Sequence, residues 1–262
     1  MINKDLYLGK FYDLEEKITA SNILDKVNIC LRDHVNTFTN FIDMYKIGKY
    51  LEMLSSFRDI NLRAFGGYPD SERNIIGLSP CYKELEESDF PIAAIEINLR
   101  NPKAYPVSHR DYLGSVLSLG IDRKKIGDIL VQENKAIVFA FEEVADYILN
   151  HLTRIRNIGA SAQRISLNDI KVRTPEIKEV ISTVSSLRAD AVLSSGFNLS
   201  RSKVVELIKA EKALINGSIA EPSSTVQCGD YLTLRGYGKI KLSEVKGKTK
   251  KGRISVVIHC YK

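Results

Sequence analysis

The sequence has no tryptophan and only three methionines and seven prolines in 262 residues. Its four cysteines, Cys30, Cys81, Cys228 and Cys260, are far apart and form no CxxC pair, so reduced thiols in the cytosol are expected. His34, His109, His151 and His259 are equally scattered, and His259 and Cys260 fall on opposite faces of a strand, so no cluster of metal ligands is assembled. No stretch approaches the roughly 20 apolar residues of a membrane span. The opening MINKDLYLGKFYDLEEK lacks an apolar run with a cleavage site, so it does not read as a secretory signal. Without secretion, Asn216-Gly217-Ser218 is a turn and not a glycosylation site. No GxSxG elbow, P-loop or GxGxxG turn is present, and no cofactor is implied. There is no internal repeat and no low-complexity tract.

What is present is an apolar fraction of 44 %, enough for a buried core, and a length that fits two or three small domains. The net charge of +6 is unevenly spread. From Leu187 onward there are 14 Lys and Arg against 6 Asp and Glu, whereas the rest of the chain carries 24 against 26. A basic module attached to a near-neutral body is the pattern of a nucleic-acid binder.

Residues 1–70 read as a helical region. Ile23, Val27 and Cys30 fall at helical spacing, Phe38, Phe41, Ile42 and Tyr45 extend a second helix, and Gly48 breaks or bends the pattern before Leu51, Leu54 and Phe57. Gly66-Gly67 and Tyr68-Pro69 then force a turn. Over 71–172 the expected order is strands at Asn74–Ser79 and Pro91–Leu99, helix Arg110–Leu119, a short helix Arg123–Gly127, strands Asp128–Gln132 and Lys135–Phe141, helix Glu142–Leu152, and a strand near Ala162–Leu167. Ser108 and Asp111 form a capping box ahead of the first of these helices. The order predicts an antiparallel sheet with helices on one face, a ferredoxin or RNA-recognition-like layout. No aromatic-rich strand of the RNP type is present, so base stacking on that sheet is not expected.

Val172-Arg173-Thr174-Pro175-Glu176 reads as a linker, followed by a helix over Pro175–Ser185. The basic module, 182–262, begins there. Leu187, Ala191 and Val192 make one apolar face of a short helix, which Gly196 stops. Ser200 is a good N-cap for a second helix reaching about Lys212, with Val204, Val205, Leu207 and Ile208 inward. Ala213-Leu214-Ile215 is a strand, Asn216-Gly217 a tight turn, and Tyr231–Leu234 another strand. Ile240–Val245 and Ile254–His259 flank a basic hairpin tip from Lys246 to Arg253. At 100° per residue Arg201, Lys209 and Lys212 share a quadrant beside the apolar stripe, Arg188 starts the first helix, and Arg235, Lys239 and Lys241 follow the strand. The whole is an α+β chain with a helical N-terminal part, an RNA-recognition-like middle and a small helix–hairpin module at the end.

Leu187-Arg188-Ala189-Asp190, Leu199-Ser200-Arg201-Ser202, Ile215-Asn216-Gly217, Gly229-Asp230-Tyr231 and Arg235-Gly236-Tyr237-Gly238 resemble, in order and spacing, the S-four RNA-binding domain. Ala189 departs from that domain's usual larger apolar residue, which implies looser packing there. Phe65-Gly66-Gly67-Tyr68-Pro69, Glu72-Arg73, His109-Arg110-Asp111-Tyr112-Leu113-Gly114-Ser115 and Lys125-Ile126-Gly127-Asp128-Ile129 extend the likeness to the bacterial YlmH family over nearly the whole chain. That resemblance implies a cytoplasmic RNA-binding protein that meets ribosomal RNA and tRNA on the large ribosomal subunit, in rescue of stalled ribosomes.

His109-Arg110-Asp111 echoes a kinase catalytic loop, but the Gly-rich loop, strand lysine and DFG that a kinase needs are missing. The S-four-bearing synthetases, pseudouridine synthases and methyltransferases each need signatures this sequence lacks. The expectation is therefore a monomeric, non-enzymatic RNA binder with no catalytic residue and no metal. Its expected contacts are Arg188, Ser200, Arg201, Lys203, Lys209, Lys212, Asn216, Arg235, Lys239 and Lys241, with Ser200 and Asn216 serving chiefly the fold. An RNA-modifying enzyme with an unfamiliar middle domain is the alternative. A DNA-binding regulator built on the Arg110–Gly127 helix pair is weaker, because that pair is only modestly basic.

Overall fold

A computed structural model describes residues 2–100, 107–170, 177–249 and 252–261. The chain divides into two compact units, Met1–Lys171 and Val172–Lys262.

In the first unit a short helix α1 (Asp5–Leu8) precedes α2 (Leu14–Asp33). The Asp13 carboxylate caps α2 by accepting from the Glu16 amide, and Glu15 and Glu16 suit the positive end of the helix dipole. Ala20, Ile23, Leu24, Val27 and Cys30 form its buried stripe. Strands β1 (Thr37–Phe38) and β2 (Ile42–Asp43) follow, then α3 (Met44–Leu54), β3 (Ile60–Phe65) and β4 (Arg73–Pro80). β1, β2 and β3 all pair with β4, and α2 and α3 close over this sheet through Ile47, Tyr50, Met53, Leu54, Ile76 and Leu78.

Two expectations for this region change. Phe38, Phe41 and Ile42 do not extend a helix; β1 lies on Gly77 and Leu78, and β2 on Arg73 and Asn74. A short apolar run cannot be assigned by period alone, and here a partner 30–40 residues away decides it. Gly48 does not break the pattern at its own position: α3 runs through it.

The next elements are β5 (Ile92–Leu99), α4 (His109–Leu117), β6 (Ile126–Val131), β7 (Lys135–Phe141), α5 (Glu142–His151), β8 (Arg154–Ile155) and β9 (Ile158–Ile165). They form an antiparallel sheet in the order β6-β7-β5-β9-β8. Ser108 and Asp111 make the expected capping box at α4. Ala93, Ile95, Ile97, Val138 and Ala140 face α4 and α5, where Tyr112, Val116, Ala145 and Ile148 meet them. Ile92, Ala94, Ile137, Phe139 and Phe141 face the other way, against Phe41, Phe65, Ile75 and Phe90. Both sheet faces are therefore covered, which explains the nearly unbroken apolar run of β7.

The second unit begins with β10 (Ile177–Val184), followed by α6 (Ala189–Phe197), α7 (Arg201–Lys209), β11 (Ala213–Ile215), β12 (Ser218–Ile219), β13 (Tyr231–Leu234), β14 (Gly238–Lys248) and β15 (Ile254–Tyr261). The sheet order is β10-β15-β14-β13-β11-β12. The helix expected over Pro175–Ser185 is a strand from Ile177, paired antiparallel and in unbroken register with β15, from Ile177–Tyr261 to Val184–Ile254. Its β-branched residues fit a pleated surface, and its partner lies too far along the chain to be read locally. The linker expected at Val172–Glu176 lies outside the described residues.

One face of this sheet packs on α6 and α7. Leu232, Leu234, Ile240, Leu242, Val256 and Ile258 meet Val192, Leu193, Val204 and Ile208 there. Each fully buried aliphatic side chain of this kind contributes about 1.5–3 kcal/mol. Ala189 is fully buried in the same core. Gly196 does not stop α6, which continues to Phe197 and ends on Asn198 in the left-handed conformation. A Cβ at Gly196 would stand 2.4 Å from Ile240 Cδ1, so this glycine lets the helix approach the sheet.

Candidate nucleic-acid interface

The two helices of the second unit are joined through one carboxylate. Asp190, in the first turn of α6, keeps only 6 % of its side chain exposed. It accepts from Arg188 Nε at 3.2 Å and Arg188 Nη2 at 3.3 Å. Arg201 Nη2, from the first turn of α7, reaches both Asp190 oxygens at 3.2 and 3.1 Å. Burial pushes the Asp190 carboxyl up, and the bonds from Arg188 and Arg201 outweigh that push, so its pKa lies below the ordinary value. The two guanidiniums stay nearly half exposed, at 44 % and 49 %. Each is fixed on its inner side by Asp190 and retains exposed surface for a phosphate.

Ser200 caps α7, its hydroxyl accepting from the Lys203 amide at 3.3 Å. Lys203 itself pairs with Glu206 one turn on, at 3.3 Å. Lys209 closes α7. Lys212 and Arg235 are brought together by the Arg235 amide, which donates to the Lys212 carbonyl at 2.8 Å. All three are exposed, and among the described residues none has an acidic partner within 4 Å. Tyr237, 46 % exposed, stands beside Phe197 of α6 with ring centroids 6.3 Å apart. Gly236 and Gly238, at φ 90° and 121°, turn the chain there.

Asn216 does structural work. Its Nδ2 donates to Asp230 Oδ1 at 2.7 Å, and its Oδ1 accepts from the Tyr231 amide at 2.9 Å. It holds φ 47° next to Gly217 at 78°, the tight turn expected of this pair. Lys239 and Lys241 do not join the helix-side cations. They alternate with the buried Ile240 and Leu242 and project from the opposite face of the sheet. The hairpin tip is partly engaged as well: Arg253 donates to the Thr183 carbonyl at 2.7 Å and to Thr183 Oγ1 at 3.1 Å. Lys250 and Lys251 lie outside the described residues.

Sequence reasoning passed over Asp190 as a contributor, although it stands inside the quoted Leu187–Asp190 stretch. A charged residue within an otherwise apolar helix run, with arginines at i−2 and i+11, was the available signal.

The motifs of the first unit meet around a second buried carboxylate. Asp128 accepts from Tyr68 Oη at 2.7 Å and from the Glu72 amide at 2.6 Å. Burial raises its pKa, and the Tyr68 hydrogen bond offsets part of the shift. Burial and the neighbouring Asp128 also raise the Tyr68 phenol. The Arg73 guanidinium pairs with Asp43 and donates to the Ile126 and Phe41 carbonyls. Burial lowers His109, with Arg123 adding to the shift. A Cβ at Gly66 would lie 2.2 Å from the Arg73 carbonyl oxygen, and one at Gly67 would lie 2.4 Å from Phe139. Tyr68, Glu72, Arg73 and Asp128 thus latch the loop between β3 and β4 onto β6.

Two family models match the chain: a putative RNA-binding domain in YlmH over residues 86–169, and an S4 domain over residues 187–231. The chain is 31 % identical over 250 residues to the ribosome-associated protein quality control protein P2 of Bacillus subtilis, covering 95 % of this chain and 96 % of that one. The solved structure of the cell division protein ylmH from Streptococcus pneumoniae aligns with a TM-score of 0.52 at 23 % identity, over 62 % of this chain and 98 % of that one, a likeness of fold. The class is that of proteins carrying an RNA-binding-type domain followed by a C-terminal S4 domain. Within that class the chain belongs to the YlmH family.

Proposed function

We propose that the protein binds structured ribosomal RNA through the helix side of its C-terminal unit, with tRNA as a second ligand, on the large ribosomal subunit during rescue of stalled ribosomes. The observation that carries this reading is the Arg188–Asp190–Arg201 cluster, which presents two oriented guanidiniums in a unit that also exposes Lys209, Lys212 and Arg235. Arginine in a fixed fork is suited to phosphate, and lysines add sequence-independent attraction. The quality-control name of the Bacillus subtilis relative and the two RNA-binding-domain matches support the same direction.

The middle segment, with its strand order and its two helices on one face, serves in this reading as an RNA-recognition-like body whose covered sheet does not stack bases. The protein acts by occupancy and without catalysis, as a monomer in the bacterial cytoplasm. The latch around Asp128 fits this, since the hydrogen bonds that reach the carboxylate come from the loop it fastens.

The test is co-sedimentation with purified large subunits. Lys209→Gln combined with Lys212→Gln and Arg235→Gln is expected to release the protein into the soluble fraction with unchanged melting temperature. Retention on the subunits would overturn the assignment of this face. Base modification of ribosomal RNA or tRNA by the purified protein would overturn the non-catalytic reading.

A further inference from the structure

The first unit holds a cavity of about 320 Å³, lined by α2, the segment between β1 and β2, α3 and the turn ahead of β6. That is the lower end of the roughly 300–1,000 Å³ of small-molecule sites. Ile23, Phe41 and Ile42 give it an apolar wall. The helix-side interface lies in the other unit and uses none of its residues.

Most of the acids that line the cavity are engaged by cations. Asp43 pairs with Arg73, Glu16 with Lys49 at 3.0 Å, and Glu15 with Lys124 at 3.7 Å. Asp122 accepts from the Lys124 amide at 2.8 Å. The cations Lys26, Lys46 and Arg123 have no carboxylate within 4 Å among the described residues. The Lys26 and Lys46 ammoniums make no hydrogen bond there either. Arg123 donates through Nη1 to the Ile126 and Gly127 carbonyls at 2.6 and 3.3 Å, which leaves Nε and Nη2 open. Burial lowers the Arg123 pKa, and the neighbouring Arg73 adds to the shift. Burial also lowers Lys26, with Lys125 adding; Glu143, itself 2.7 Å from Lys125, offsets only part of it. Half-buried cations gathered in this way repel each other until an anion joins them.

The chemistry of that anion follows from the lining. Three unpaired cations against Asp122 leave a surplus of two positive charges. A carboxylate brings one negative charge. A phosphate monoester carries about −1.5 to −2 at pH 7 and presents three acceptor oxygens, enough for two ammoniums and one edge of a guanidinium. Thr19, Asn22 and Asn40 add neutral groups suited to hydroxyls. The rings of the lining, Phe41 and Tyr50, are 3 % and 1 % exposed, so they offer no face on which a base could stack. Recognition therefore falls on phosphate and sugar.

We propose that this cavity is a binding site for a phosphate monoester of nucleotide size, its phosphate held by Lys26, Lys46 and Arg123 and its sugar hydroxyls by Thr19, Asn22 and Asn40. The site is independent of the RNA face proposed for the C-terminal unit.

The experiment titrates the full chain with ribose 5-phosphate, AMP and unphosphorylated ribose by calorimetry. Both phosphate esters are expected to saturate a single site, and ribose is expected not to bind. Lys26→Gln and Lys46→Gln should each weaken the esters about tenfold, the loss of one charge-assisted bond. Lys209→Gln with Lys212→Gln should leave ester affinity within about twofold, as for sites that share no partner. No saturable binding of either ester at millimolar concentration, equal binding of ribose, or unchanged affinity in both cavity variants overturns the proposal. So does loss of ester binding in the Lys209 and Lys212 variant, which would put the ligand on the helix side. A 5′-phosphorylated RNA trinucleotide, set against its 5′-hydroxyl form, identifies the source of the monoester. If the phosphorylated form competes better than AMP, the source is an RNA end; if it competes worse, the source is a free nucleotide; either result upholds the site. Should a cavity variant melt early, acylation of lysines in the native protein decides: shielding of Lys26 and Lys46 by AMP supports the proposal, and shielding confined to other lysines refutes it. Ribosome binding by any of these variants bears on the proposed function alone.

Discussion

Arg201 at the start of α7 donates to Asp190 at the start of α6 across 3.1 Å, so a residue proposed to meet a phosphate also holds the two helices together. Changing Arg201 therefore confounds binding with folding. Asp190→Asn should lower stability by about 1–3 kcal/mol, because it removes the carboxylate charge opposing two guanidiniums while leaving an acceptor in place. The pH dependence has a definite sign. The Asp190 pKa lies below the ordinary aspartate value, so its contribution is present above that value and is lost as pH falls through the lower folded-state one. Urea unfolding of both proteins should show a gap at pH 7 that shrinks below pH 4. A gap independent of pH would mean that charge is not what Asp190 supplies.

Asn216 separates a turn residue from an RNA contact. Asn216→Ala loses the bonds to Asp230 and Tyr231 and places alanine at φ 47°. The expected cost is about 1–2 kcal/mol. Under conditions where the variant is folded, its RNA affinity and salt dependence should match the parent. A changed salt slope would return Asn216 to the interface.

Salt dependence counts the phosphates. With about six neutralised, log K should fall against log salt with a slope of roughly −4 to −5. Each of Lys209→Gln, Lys212→Gln and Arg235→Gln should flatten the slope by about 0.7–0.9. Lys203→Gln should flatten it less, since Glu206 already engages that ammonium. Titrations at several salt concentrations check this, and equal effects of all four would mean that the Lys203–Glu206 pair opens on binding.

The parts of the fold written in local signals were legible. Ser200 capping α7, Asn216-Gly217 turning the chain, and Ser108 with Asp111 boxing α4 each depend on neighbours within three or four residues. Strand β10 was not legible, because what makes it a strand is β15, some 80 residues on. β1 and β2 failed for the same reason. The candidate site shows a similar division. Lys209 stands on α7 as the period places it, but Lys212 does not: α7 ends at Lys209, short of the expected end near Lys212, and Glu211 at φ 55° turns the chain before it. The burial of Asp190 is tertiary and could not be read locally. The parity of Lys239 and Lys241 against Ile240 and Leu242 stood in the sequence, and reading it as a period of two would have put these lysines on the outer face from the start.

The latch on Asp128 gives the opposite pH behaviour. Its pKa is raised, so its contribution is full below the unfolded value near 3.8 and is lost as pH rises through the folded one. Asp128→Asn keeps an acceptor for Tyr68 and the Glu72 amide and removes the buried charge, so at pH 7–8 it should cost less than about 1 kcal/mol. Asp128→Ala strands both donors and should cost about 2–4 kcal/mol. Thermal melts of the two variants decide, and equal losses would show that the charge itself, and not acceptance, fastens the loop.

Gly66 tests whether the Phe65–Pro69 stretch is a packing device. A Cβ there would meet the Arg73 carbonyl oxygen at 2.2 Å and Ser71 Oγ at 2.3 Å, and the first of these is backbone that cannot rotate away. Gly66→Ala should therefore destabilise the first unit by about 2 kcal/mol or more, since relief requires β4 to shift and Asp128 to lose its grip on the Glu72 amide. Gly114→Ala provides the control, because nothing lies within 4 Å of its added methyl and it sits inside α4, where alanine is favoured over glycine by about 1 kcal/mol. Differential melting should move the two variants in opposite directions from the parent. If Gly66→Ala melts with the parent, the loop yields more readily than its contacts indicate, and the latch then rests on Tyr68 and Asp128 alone.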